Sequence, residues 1–95
     1  MLKTDFTPSF ARDRKRCAKK HWDISTLDAA LAAVAFSDEE PIAPEFGDHA
    51  LAGDLHGCRA LHIGGKTSNW VLLYEVCGDS AYFIATGTRD EVYAH

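Results

Sequence analysis

His49, His62, Arg89 and Tyr93 are the residues of this 95-residue chain whose types and spacing best suit chemistry. Imidazole is the side chain best able to take and give a proton near neutral pH. His49 follows Gly47-Asp48 and His62 shortly precedes Gly64-Gly65, so both stand where a loop meets an alternating apolar run. Arg89 and Tyr93 are four apart beyond the last such run and share a side if that stretch is helical. A guanidinium forms bidentate bonds to phosphate oxygens, and a tyrosine stacks on a base or donates its hydroxyl. Together the four suit acid–base chemistry at a phosphate. Singly, each also has an ordinary reading: histidines at the surface or in packing, Arg89 paired with a carboxylate, Tyr93 packed on the core.

Other chemistries find less support. His49, His56 and His62 are spaced by seven and six, which matches no common zinc pattern, so no metal is expected. No serine or cysteine stands in a nucleophile elbow, and Gly64-Gly65-Lys66 lacks the strand–loop–helix context of a phosphate loop. No other cofactor is implied.

The elements that must position these residues follow from periodicity. Leu2–Phe6 alternates like an edge strand. Thr7 and Pro8 start a helix that places Phe10, Cys17 and Ala18 on one face and Arg12, Arg16, Lys19 and Lys20 on another. His21-Trp22-Asp23 interrupts it. Ser25-Thr26-Leu27-Asp28 restarts a helix with capping-box spacing, and Leu27, Ala30, Leu31 and Val34 form its core stripe. Ser37–Glu45 is an acidic, proline-marked loop. Leu55–Ile63, Asn69–Val76 and Ser80–Thr88 alternate by two, with Cys77-Gly78-Asp79 as a tight turn, and Arg89–Tyr93 adds about one helical turn. The order predicts an α+β fold: an N-terminal strand and a helical hairpin packed on an antiparallel sheet. Strict alternation sets His62 on the face of His56, Cys58 and Ala60, and Arg59 on the other with Leu61 and Ile63. Arg59 and His62 share a site only if a bulge breaks that parity.

The length suits one domain over residues 1–95. No run is long enough to span a membrane, and the N-terminus lacks a signal-peptide core. Cys17, Cys58 and Cys77 are odd in number and unpaired in spacing, which predicts buried free thiols in a cytoplasmic protein. The net charge of −4 conceals an asymmetry: residues 1–20 carry seven Lys/Arg and two Asp/Glu, residues 21–95 three and twelve. The basic segment is either a solvated helix face or a patch that meets nucleic acid or an acidic protein segment.

The order Asp48-His49-x-Leu51-x-Gly53, Gly57-x-Arg59-x-x-His62, Trp70-x-Leu72-x-Tyr74 and Thr86-Gly87-Thr88 resembles the YafQ branch of the RelE-type toxins. The helical, basic N-terminal half is similar too, so the resemblance covers nearly the whole chain. Four short motifs in order are fairly specific, although each alone is weak. The chain departs from the branch at Ala60 and Asn69, which replace acidic residues, and at Arg89, which replaces a third histidine. Arg89 with Tyr93 is closer to the RelE branch.

The resemblance implies the small RelE-like α+β fold, with the helices on one face of the sheet and an active groove on the other. It implies the toxin of a type II toxin–antitoxin pair, a ribosome-dependent mRNA endonuclease that cuts through the 2′-hydroxyl without metal. His49, His62, Arg89 and Tyr93 would be catalytic, and Arg59, Asn69, Arg12, Arg16 and Lys19 would contact substrate. The implied partners are the ribosome, its mRNA and a DinJ- or RelB-like antitoxin in a hetero-oligomer. Two rivals remain open at this point: a ParE-like toxin acting on gyrase, and a catalytically degenerate binding module.

Overall fold

A computed structural model describes residues 1–94. Strand β1 (Lys3–Phe6) leads at once into α1 (Pro8–Lys19), because Thr7 Oγ1 accepts the Phe10 N–H at 3.0 Å and Pro8 needs no partner for a missing N–H. His21, at φ 63°, turns the chain toward α2 (Ile24–Ala35). The cap of α2 is Asp23, whose carboxylate accepts both the N–H and the hydroxyl of Ser25, so the helix starts earlier than the capping-box spacing suggests. Leu27, Ala30 and Val34 are buried as the stripe requires. On α1, Phe10 and Cys17 are buried but Ala18 is exposed, and Asp13 takes the remaining inward position.

Four more strands follow: β2 (His49–Ala50), β3 (Arg59–His62), β4 (Trp70–Cys77) and β5 (Ser80–Thr88), then the short helix α3 (Arg89–Tyr93). The sheet order is β1-β5-β4-β3-β2, and all neighbours are antiparallel except β1 and β5. The expected three-stranded meander is therefore the centre of a five-stranded sheet. Its first strand begins at Arg59 instead of Leu55, because Gly53–Leu55 coils into a 3₁₀ turn and Gly57 adopts φ 94°. His49 belongs to a strand, not to a loop, and pairs with Ala60.

The sheet has two covered faces. On one, α1 and α2 pack Phe10, Leu27, Ala30 and Val34 against Leu61, Ile63, Leu72, Tyr74 and Phe83. On the other, Val71, Leu73 and Ala85 pack with Val92 of α3, joined by Leu51 and Leu55. A register shift opposite Leu73/Tyr74 leaves Ile84 as an extra residue in β5. This bulge turns Ala85 to the face opposite Ala81 and Phe83.

Strand β1 stops at Phe6, opposite Phe83, which leaves the outer edge of β5 without a partner strand. Thr7 and the side chains of Asp13 and Arg16 along α1 complete it. The Thr7 N–H donates to the Phe83 carbonyl, the Thr7 hydroxyl to Ile84 O at 2.7 Å, and Arg16 to Thr86 O at 3.3 Å. Asp13 accepts the Thr86 N–H at 3.1 Å and pairs with Arg16 at 2.9 Å. Buried backbone groups must be paired, so a carboxylate on the inner face of α1 is used where an apolar residue would leave Thr86 unsatisfied.

Only Cys17 of the three free thiols is buried; Cys58 is half-buried and Cys77 lies exposed beside the β4–β5 turn. The expectation of three buried thiols thus fails at the sheet margins. Among the described residues, no helix is long and apolar enough to cross a membrane.

Candidate functional site

The polypeptide reaches the site from three directions. Gly47, at φ 60°, ends a 3₁₀ turn and sends the chain into β2, where a β-carbon would come within 3.0 Å of the His62 ring. The position thus needs glycine on two counts. His49 follows and lies beside β3, whose last residue is His62. From the far side, β5 ends at Thr88, which caps α3 through a reciprocal box: Thr88 Oγ1 accepts the Glu91 N–H at 3.3 Å, and Glu91 accepts the Thr88 N–H at 2.9 Å. That bond from Thr88, ahead of the nearby Arg16 and Lys20, holds the Glu91 carboxyl below its usual range. The Arg89 N–H is held by the Asn69 carbonyl at 3.0 Å, which ties α3 to the start of β4.

His49, His62, Arg89 and Tyr93 together line one open pocket of about 350 Å³. The two imidazole rings stack with centroids 5.9 Å apart and planes 22° from parallel. His49 Nδ1 lies 2.9 Å from Gly47 O, and His62 Nδ1 lies 2.9 Å from Ser68 O. A carbonyl only accepts, so each Nδ1 carries hydrogen and each Nε2 is left to take or release a proton. His49 is exposed, whereas His62 is buried to 7% accessibility. Two tied imidazoles beside a guanidinium and a phenol can transfer protons on either side of a centre that becomes more negative.

The residues expected to contact substrate are dispersed. Asn69 is exposed just before β4 and contributes its backbone carbonyl to the Arg89 N–H, but does not itself line the pocket. Arg59 emerges on the helix side of the sheet, as the unbroken alternation of β3 demands, and donates to Asp48 at 2.7 Å. Arg16 is engaged by Asp13, Thr86 and Glu91. Arg12 bonds Ser9, and Lys19 is exposed on α1; neither lines the pocket. Ala60 is fully buried opposite His49 and offers no proton-carrying group there. A larger groove of about 420 Å³ lies elsewhere, among Phe6, Phe10, Leu31, Arg14 and Lys15, and contains no histidine. Among the described residues, no three His, Cys, Asp or Glu side chains gather to hold a metal ion.

Asp48 and Tyr74 stand in the sequence only as motif positions without a role, and the structure joins them: the Tyr74 hydroxyl donates to the Asp48 carboxylate. The signal was present: Asp48 precedes His49, and in extended backbone neighbours leave on opposite sides. Burial, then the Asp48 carboxylate, pushes the Tyr74 hydroxyl well above its ordinary value. Arg59 is likewise raised by its bond to Asp48.

A family model described as the bacterial toxin of a type II toxin–antitoxin system, YafQ, matches residues 2–94. Among solved structures, YafQ from E. coli superposes with a TM-score of 0.86 at 22% identity, covering 98% of this chain and 99% of that one. YafQ in the E. coli DinJ–YafQ complex gives 0.83 at 22% identity, with 98% and 99% covered. A metal-bound toxin from Helicobacter pylori gives 0.82 at 26% identity, with 97% and 99% covered. No curated protein sequence matches at a significant level.

Proposed function

The chain belongs to the YafQ family of type II toxins, and from that premise we propose that it is a ribosome-dependent endoribonuclease that cuts mRNA without metal. The observation that carries this reading is the meeting of His49, His62, Arg89 and Tyr93 in one pocket, with both histidines tied through Nδ1. In the proposed reaction, Nε2 of one imidazole takes the proton of a ribose 2′-hydroxyl. The freed oxygen forms a bond to the adjacent phosphorus, Arg89 bears against the phosphate oxygens as their charge grows, and the bond to the 5′-oxygen breaks. The other imidazole, protonated beforehand, gives its proton to that leaving oxygen. The products are a 2′,3′-cyclic phosphate and a 5′-hydroxyl. Each proton transfer is worth about 10²–10⁴-fold in rate. Tyr93 stacks on or hydrogen-bonds a nucleotide beside the cut.

The E. coli relative is paired with DinJ in its complex, and by extension an antitoxin of that kind holds this chain inactive in a cytoplasmic hetero-oligomer. The fully buried Ala60 favours one second reading, a binding module that has lost cleavage. Inducible expression of the chain, and of a His49→Ala/Arg89→Ala variant, with primer extension on mRNA from translating ribosomes, separates the two. In-frame cuts that disappear in the variant support the nuclease. Growth arrest without cuts points to another target such as gyrase, and neither arrest nor cuts leaves the binding module.

A further inference from the structure

His49 stands on a strand of two residues, whose ladder has only two residue pairs, His49 with Ala60 and Ala50 with Arg59. So short an edge cannot by itself hold an imidazole to the fraction of an ångström that proton transfer requires. On the opposite side of the sheet, Asp48 is gripped from two strands at once. Arg59 of β3 donates Nη2 to Asp48 Oδ2 at 2.7 Å and Nε to the same oxygen at 3.2 Å. Tyr74 of β4, only 1% exposed and fixed in the core, donates its hydroxyl to Oδ1. Arg59 and Tyr74 are themselves cross-strand partners, so the two donors form one rigid seat.

We propose that Asp48, Arg59 and Tyr74 are positioning residues, an anchor on the helix side of the sheet that fixes the orientation of His49 on the other side. The proposal rests on the assignment of His49 to proton transfer. Its route is short. With Asp48 immobilised, the preceding residue, Gly47, keeps its left-handed turn and aims its carbonyl at His49 Nδ1, 2.9 Å away. That bond selects the Nδ1–H tautomer and leaves Nε2 free. Arg59 therefore serves His49 through Asp48 and does not touch RNA. The raised Tyr74 hydroxyl stays protonated at any working pH and remains a donor to the carboxylate. His62 takes its own tautomer from Ser68 O, on a separate loop, and supplies an internal control.

The test is ¹⁵N NMR of the histidine rings in the full chain, with ribosome-dependent cleavage measured in parallel, for Asp48→Ala, Arg59→Lys and Tyr74→Phe. In Asp48→Ala the anchor predicts a second tautomer at His49 while His62 is unchanged. It also predicts a fall in kcat of about 10–100-fold with KM within about twofold, the scale of a misplaced catalytic group. Arg59→Lys, which keeps the charge, should recover most of both signals. Should Asp48→Ala fail to fold, Tyr74→Phe keeps the ion pair and is read for the same His49 tautomer mixture. A His49 that stays in the Nδ1–H form in both Asp48→Ala and Tyr74→Phe, with stability alone reduced, would overturn the anchor. If the unaltered chain cuts no RNA, the nuclease reading falls, while the ring spectra still decide the anchor.

Discussion

Replacing Asp13 by alanine removes the carboxylate that accepts the Thr86 N–H on the outer edge of β5. Two losses follow. The Thr86 N–H, in a residue with no accessible surface, loses its only acceptor and has no route to water, at a cost of about 1–3 kcal/mol. The Arg16 ion pair also goes; with the Arg16 side chain 40% exposed and Asp13 10% exposed, it adds on the order of 0–1 kcal/mol. The expected destabilisation is about 1–4 kcal/mol, which in a domain of this size lowers Tm by about 5–30 °C. Urea unfolding followed by tryptophan fluorescence suits the test, because Trp70 bonds Thr86 through its indole N–H. The midpoint should fall with the m-value unchanged. Asp13→Asn keeps an acceptor for Thr86 and should lose only about 1 kcal/mol. An alanine variant within about 0.5 kcal/mol of the parent, or an asparagine variant as unstable as alanine, would show that the Thr86 N–H does not depend on Asp13.

Three further outcomes follow from the site. Thr88→Ala removes the cap of a five-residue helix too short to hold itself; a loss of about 1 kcal/mol should speed amide exchange at Val92 to Ala94 roughly fivefold while the β4 and β5 amides stay as they were. Gly47→Ala forces a left-handed residue and sets a β-carbon 3.0 Å from the His62 ring; urea melts should show a loss of at least about 1–2 kcal/mol, and cleavage should fall further than stability explains. Glu91 is held below the usual carboxylate range by Thr88, so its contribution is complete above its unfolded value and disappears as pH falls through the folded one. The Tm gap between the parent and Glu91→Gln should therefore be flat from about pH 8 to 6 and close below about pH 4.

The helical hairpin and the central strands were legible because each has a strong period: Leu27, Ala30 and Val34 for α2, and the alternation of β4 and β5. The four pocket residues were legible by type and by their places at strand ends. What escaped the sequence depends on partners distant along the chain. β2 is two residues long and carries no pattern, so only its pairing with β3 makes it a strand. Asp13 reads as one more charge on a basic helix until the unfilled edge of β5 gives it a use. Arg16 and Arg59 look like free cations, yet each is claimed by a carboxylate: Asp13 beside one and Asp48 beside the other. A sequence shows charges, and only a fold shows which are already neutralised.

In the proposed reaction the two tied histidines and Arg89 break RNA by attack of its own 2′-hydroxyl. Purified chain should be incubated with programmed ribosomes in magnesium buffer containing a chelator selective for transition metals, and the ends of the cleaved mRNA identified by mass. A 2′,3′-cyclic phosphate should form on the upstream fragment, no cut should occur where the ribose at the cut site is 2′-deoxy, and product should be lost with His49→Ala or His62→Ala. Cleavage that leaves a 3′-hydroxyl, that persists on the 2′-deoxy substrate, or that survives both histidine substitutions would contradict the proposed reaction.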